Sequence, residues 1–204
     1  METPQVTLYF APATRSFTPR WLLEELGVSY RVQLVDLGKC EQKSPQYLQI
    51  NRMGKVPALT DGDVVVSESP AICIYLADRY SYGELAPKID DPARGSYLRW
   101  MVFSTAVFEP AIYLSESQDP AAASGRGWGS RAAVLSTIEE GLASGPFLLG
   151  ERFSAADVML GSLLSIALFN RRIPDTSRAL VEYERRLAAR PSYERAAQAT
   201  WASS

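Results

Sequence analysis

The segment Gly54–Tyr80, GKVPALTDGDVVVSESPAICIYLADRY, decides the fold of this chain. It contains two short runs rich in apolar and β-branched residues, Val56–Leu59 and Val64–Val66. Between them lies Asp61-Gly62-Asp63, a sequence typical of a tight turn. The two runs and the turn therefore predict a β-hairpin.

The hairpin leads directly into a predicted helix. Ser69 stands before Pro70 and an apolar run, which predicts a helix with Ser69 as N-cap and Pro70 in the first turn. The free N–H groups and the dipole of such a helix start favour a bound anion. Pro57 lies inside a strand-like run, which predicts a cis bond between Val56 and Pro57.

These motifs resemble the glutathione-binding half of the glutathione transferases, a thioredoxin-like domain. The resemblance implies that Val56, before the cis-proline, hydrogen-bonds the cysteinyl backbone of glutathione. It implies that Ser69 holds the γ-glutamyl carboxylate and that Glu68 faces the amino group. It also implies that Lys39 reaches the glycyl carboxylate, although an exposed lysine with no such role is equally compatible with the sequence.

The order of the other elements agrees with this domain. Four elements are predicted before the hairpin and its helix. They are a strand at Val6–Phe10, a helix from Thr18 through Leu26 with Gly27 past its end, a second strand at Tyr30–Leu37 and a short helical piece at Pro45–Leu48. The expected fold for residues 1–80 is thus an α/β domain of βαβαββα order with a mixed four-stranded sheet.

A linker is expected at residues 81–91, followed by an all-helical bundle domain at residues 92–204. Pro92–Ser117 reads as one long helix that Pro110 bends, and Asp119–Gly129 as a mobile loop. Ser154 and Asp157 predict a capping box at the start of a buried helix, Ala155–Phe169. This segment, ERFSAADVMLG, resembles the N-capped helix of the transferase C-terminal domain.

Composition restricts the chemistry. Among its 204 residues the chain has no histidine, which excludes Ser-His-Asp and Cys-His catalysis and histidine-zinc sites. A net charge of −2 gives no reason to expect nucleic acid or an anionic membrane as partner. No apolar run reaches the ~18 residues of a membrane span. Cys40 and Cys73 are far apart and no signal peptide is evident, so a cytoplasmic protein with free thiols is expected. No bound metal is expected.

Glutathione as co-substrate needs its thiol ionised, and the thiol pKa is ~8.5 when free. The loop after the first strand offers hydroxyls and a positive charge at a helix start, in Thr14, Arg15 and Ser16. We favour Ser16 as the donor to the sulfur because it lies at the helix start. Thr14, nearer the strand end and stiffened by its β-branch, is the alternative. Arg15 either supplies positive potential or is a solvated loop charge.

The resemblance implies conjugation of glutathione to hydrophobic electrophiles, as in detoxification, by a homodimer of the bacterial Ser/Thr-loop type. The expected electrophile pocket is lined by Phe10, Pro12, Thr105, Phe108 and Tyr113. Alternatively, Phe108 does not line the pocket and packs in the core of the helical domain. A rival enzyme function is glutathione-dependent disulfide reduction. A non-catalytic protein that binds glutathione or a partner on the same fold is the third possibility.

Overall fold

The structure, a computed structural model, describes residues 5–114, 127–173 and 177–201. The chain forms two compact units, of which the first runs to Ser81 and includes the segment from Arg190 onward, and the second is Tyr82–Ala189. The elements are β1 (Val6–Phe10), α1 (Phe17–Leu26), β2 (Tyr30–Leu34), a 3-10 turn (Glu41–Lys43), α2 (Pro45–Ile50), β3 (Ala58–Asp61), β4 (Val64–Ser67), α3 (Ser69–Tyr80), α4 (Arg94–Phe103), a π-turn (Ser104–Phe108), α5 (Glu109–Tyr113), α6 (Arg131–Gly141), α7 (Ala155–Phe169), α8 (Arg178–Ala188) and α9 (Pro191–Trp201). Among the described residues, no helix has both the length and the apolar character to cross a membrane.

The first unit contains a mixed four-stranded sheet in the order β2-β1-β3-β4, as predicted. Strand β1 is parallel to β2 and antiparallel to β3, and β3 is antiparallel to β4. Strand β3 begins at Ala58, two residues later than predicted, because Pro57 has no N–H to donate to a neighbouring strand. Strand β2 ends at Leu34, three residues earlier than predicted.

Helix α9 packs on α1 of the first unit. Glu25 of α1 accepts hydrogen bonds from Arg190, Ser192 and Trp21. The ring of Tyr193 lies edge-on to the Trp21 ring, with centroids 5.0 Å apart. The last helix, assigned from sequence to the helical domain, therefore completes the first unit.

The long helix predicted from Pro92 to Ser117 is interrupted. It consists of α4, the π-turn Ser104–Phe108 and α5, with Pro110 in the first turn of α5. Proline lacks the N–H that an α-helix directs to the residue four positions earlier, so the irregular turn lies just before Pro110. Residues 115–126, into which the predicted helix and most of the predicted mobile loop extend, lie outside the described residues.

The predicted capping box is confirmed at the start of α7. Asp157 Oδ2 accepts the Ser154 N–H at 2.9 Å, and Oδ1 accepts the Leu148 N–H and the Tyr183 hydroxyl, both at 2.9 Å. Burial raises the pKa of Asp157 to about 6, although these hydrogen bonds oppose the shift. Asp157 is thus a structural residue that joins three segments of the second unit.

Candidate functional site

The strand register brings three loop segments to one edge of the sheet. Tyr9 of β1 pairs with Ala58 of β3, and Ala58 pairs with Ser67 of β4. The loop that follows β1, the segment that precedes β3 and the residues that follow β4 are therefore neighbours. The second of these segments contains the bond between Val56 and Pro57, which is cis as predicted.

The loop after β1 contains a small hydrogen-bonded network of hydroxyls. Thr14 Oγ1 donates to the Ala11 carbonyl at 2.7 Å, lies 2.8 Å from Ser16 Oγ, and accepts the Ser16 N–H at 3.1 Å. Ser16 Oγ accepts the Ala11 N–H at 3.4 Å. Because the Thr14 proton is directed to Ala11, the Ser16 hydroxyl donates to the Thr14 oxygen.

Thr14 and Ser16 differ in exposure. Ser16 is fully buried, occupies the N-cap position of α1, and makes no side-chain capping bond. Thr14 and Arg15 are half-buried. The Ser16 hydroxyl is thus used inside the loop, and Thr14 is the outer member of the hydroxyl pair.

The start of α3 differs from the prediction by one residue. Glu68 is the N-cap, and its carbonyl accepts the Ile72 N–H at 2.9 Å. Ser69 is the first helical residue and caps nothing, so its predicted N-cap role is wrong. Glu68 adopts φ 69° and ψ 121°, a conformation that costs a residue other than glycine about 1–3 kcal/mol. The strain at Glu68 makes this turn a candidate ligand-binding position.

A groove of about 580 Å³ lies between the loop after β1 and the segment after β2. Its lining is Ala11, Pro12, Gln33, Leu34, Val35, Asp36, Leu37 and Glu41. The sequence predicted that β2 continues to Leu37. Because of that prediction, Leu34 and Leu37 were not recognised as groove residues. They are 51% and 38% exposed, which is high for leucine.

Three other predicted site residues have different surroundings. Lys39 Nζ forms an exposed ion pair with Asp36 Oδ2 at 3.1 Å, which raises the pKa of the lysine. Phe10 is buried, and the guanidinium carbon of Arg20 lies over its ring, 5.0 Å from the ring centroid. In the second unit Phe108 is fully buried, which agrees with its alternative as core packing.

Comparison with known proteins identifies the family. Residues 4–78 match "Glutathione S-transferase, N-terminal domain" and residues 121–175 match "Glutathione S-transferase, C-terminal domain". Glutathione S-transferase F10 of Arabidopsis thaliana is 33% identical over 148 residues, which cover 71% of this chain and 67% of that relative. The chain belongs to the glutathione S-transferase family.

Solved glutathione transferases share its fold over nearly the whole chain. One from Methylococcus capsulatus is 30% identical, with a TM-score of 0.76, and the match covers 96% of this chain and 98% of that one. Another from Phanerochaete chrysosporium, solved with oxidized glutathione, is 25% identical, with a TM-score of 0.78 and coverage of 98% and 96%. The thioredoxin-like fold followed by a helical region is therefore confirmed.

The thiols of this glutathione S-transferase lie apart from the hydroxyl loop in sequence. Cys73 is fully buried in α3, and burial raises the pKa of its thiol, so it is an inert core residue. Cys40 is exposed, and both cysteines are free.

Sequence reasoning missed two residues near the cis-proline. Tyr47 and Asn51 both donate a side-chain hydrogen bond to the Lys55 carbonyl. Their sequence pattern does not reveal this, because the carbonyl lies eight and four residues further along the chain.

Proposed function

We propose that this protein is a glutathione transferase that adds the glutathione thiolate to hydrophobic electrophiles. The observation that carries the proposal is the single sheet edge where the hydroxyl loop, Val56-Pro57 and Glu68-Ser69 converge. Family membership and the oxidized glutathione bound by a solved relative support it. Function depends on these site residues, since the fold alone does not specify it.

Glutathione would be held mainly by backbone groups and the start of α3. The Val56 backbone takes the cysteinyl residue, and the Ser69 hydroxyl and N–H take the γ-glutamyl carboxylate at the positive end of the helix dipole. The Glu68 carboxylate faces the γ-glutamyl amino group. Lys39 is proposed to bind the glycyl carboxylate. To do so, its ammonium group would leave its exposed ion pair with Asp36.

We propose Thr14 as the hydroxyl that acts on the sulfur. Its oxygen receives both the N–H and the hydroxyl of Ser16, which polarises its own O–H bond and makes it a stronger donor. Turning that proton from the Ala11 carbonyl to a thiolate replaces a neutral hydrogen bond with a charge-assisted one. Lowering the thiol pKa by about two pK units requires about 2.7 kcal/mol. Arg15 would contribute positive potential to the same charge.

The electrophile would lie in the groove beside Pro12, against the exposed faces of Leu34 and Leu37. Its apolar lining suits hydrophobic substrates. The carboxylates of Asp36 and Glu41 line the same groove, so neutral electrophiles should be preferred to anionic ones. Phe10, Thr105, Phe108 and Tyr113 were the other predicted lining residues, and of these Phe10 and Phe108 are buried side chains.

We also propose a cytoplasmic homodimer of the Ser/Thr-loop type. Two free cysteines suit a reducing compartment. Leu98 and Val102 of α4 are 38% and 57% exposed, which supports a further contact on that helix. Sedimentation at micromolar concentration tests this part of the proposal, and a monomer there would contradict it.

Glutathione calorimetry, followed by the thiolate absorbance of the complex against pH, tests the main proposal. Thr14→Val should raise the pKa of the bound thiol towards its free value and lower conjugation by about 10- to 100-fold. Glutathione affinity should change little, because other groups hold the peptide. Thr60→Val on β3 is the matched control, in which the same atoms are exchanged outside the loop, and it should leave both quantities unchanged.

The outcomes separate the alternatives. A shifted titration in Ser16→Ala with none in Thr14→Val would return the donor role to Ser16. If neither variant shifts the titration, hydroxyl activation is wrong. Absence of glutathione binding by the wild-type protein would refute the proposed function. Faster turnover of a glutathionyl disulfide than of aromatic halides would instead indicate a disulfide reductase.

A further inference from the structure

The carbonyl of Lys55 accepts hydrogen bonds from two buried side chains. The Tyr47 hydroxyl donates at 2.7 Å and the Asn51 side-chain amide at 2.9 Å. Both residues are almost inaccessible to solvent, at 6% and 5% exposure. A carbonyl oxygen has two lone pairs, so this acceptor is saturated by the two donors.

The Lys55 carbonyl belongs to the same peptide group as the Val56 N–H. A peptide group is planar, and this one is trans, so its C=O and N–H point in opposite directions. Any rotation that moves the Val56 N–H must also move the Lys55 carbonyl and break both side-chain bonds. Within the part of the chain that the structure describes, the Val56 N–H has no acceptor. It is therefore a free donor whose direction is set from the opposite side of its own peptide.

The two donors are themselves held in place. Asn51 Oδ1 accepts the Met53 N–H at 3.0 Å, and the Asn51 carbonyl accepts the Gly54 N–H at 2.8 Å. The Tyr47 ring lies edge-on to Tyr9, with centroids 5.8 Å apart. Burial, with a smaller contribution from Tyr9, raises the pKa of Tyr47 to about 12, so its hydroxyl stays protonated at neutral pH.

We propose that Tyr47 and Asn51 are positioning residues for glutathione, which act by aiming the Val56 N–H at the cysteinyl residue. The inference rests on the proposed function, since it takes glutathione as the ligand at Val56. Neither side chain needs to touch glutathione. Their hydrogen bonds also polarise the Lys55–Val56 peptide, which makes the N–H a better donor.

Tyr47→Phe tests the proposal because it removes the hydroxyl and keeps the ring that packs on Tyr9. The KM for glutathione should rise about 5- to 10-fold, while kcat at saturating glutathione and the KM for the electrophile stay within about 2-fold. The matched control is Tyr75→Phe, which also removes one tyrosine hydroxyl, here bound to Asp61 Oδ2 at 2.9 Å. The control should lose similar thermal stability with no change in the KM for glutathione.

A second variant and a spectroscopic measurement make the test independent of stability. Asn51→Asp keeps the acceptor for the Met53 N–H and places an oxygen opposite the Lys55 carbonyl, so the KM should rise further than in Tyr47→Phe. The amide nitrogen signal of Val56 in the ligand-free protein should move in both variants and stay in place in Tyr75→Phe.

An unchanged KM in Tyr47→Phe with a stability loss like that of the control would make Tyr47 merely structural and overturn the proposal. A moved Val56 signal with unchanged KM would overturn it as well. If the wild-type protein binds no glutathione in calorimetry, the proposed function fails first and this inference fails with it.

Discussion

Acidification should relieve an energetic penalty at Asp157. The carboxyl is buried in the second unit and accepts hydrogen bonds from Leu148, Ser154 and Tyr183. Burial raises its pKa to about 6 from an ordinary 3.8. The native state therefore binds this proton more tightly than the unfolded state does. Above pH 6 the buried carboxylate is charged, and the free energy of unfolding is lowered by the full cost of burying that charge.

The size of the effect follows from the pKa difference. The rise from 3.8 to about 6 is about 2.2 pK units, which corresponds to about 3 kcal/mol. Because the folded protein holds the extra proton between pH 6 and pH 4, the contribution of Asp157 to the free energy of unfolding rises by about this amount as the pH falls through that range. The protonated oxygen has an acceptor at hand, since Asp157 Oδ2 lies 3.1 Å from Ser154 Oγ.

Urea unfolding of the wild-type protein and Asp157→Asn at steps from pH 7 to pH 4 measures this contribution. Asparagine does not titrate, so the other carboxyl groups cancel in the difference between the two proteins. The wild type should gain about 3 kcal/mol relative to the variant on acidification. If it instead loses stability relative to the variant, the hydrogen bonds outweigh burial and the pKa of Asp157 is depressed.

Two further changes test the strained turn and the last helix. Glu68→Gly should gain up to about 1 kcal/mol of stability from relief of the positive φ, less the entropy cost of glycine, while glutathione binds about 10-fold more weakly. Denaturant unfolding and calorimetry measure the two effects, and Glu68→Ala should lose affinity without that gain; equal stability in both variants contradicts the strain. Arg190→Ala leaves the carboxylate of Glu25, whose side chain is 7% exposed, without its bidentate partner and should cost about 2–3 kcal/mol in urea unfolding. A loss below about 0.5 kcal/mol would show that α9 is not held by this ion pair.

The sequence by itself determined those features whose signals lie within a few residues of each other. The capping box joins Ser154 to a residue three positions later, and the bounds of α7 were predicted to the residue. Strand β1 and the cis bond before Pro57 were likewise correct. The capping bonds and the steric limits at Pro57 are local, and the mostly apolar run of β1 is continuous over five residues, so the neighbouring residues carry the information.

Tertiary structure decided what depends on partners distant in the chain. The fold of the loop after β1 decides which of its hydroxyls faces inward. It buries Ser16 and leaves Thr14 outermost. The assignment of α9 to the first unit depends on Arg190 meeting Glu25, 165 residues away. The shift of the α3 N-cap to Glu68 follows from a positive φ that the propensity of serine for N-caps cannot reveal. Local patterns specify elements, whereas strand register and long-range contacts determine which side chains meet at the site.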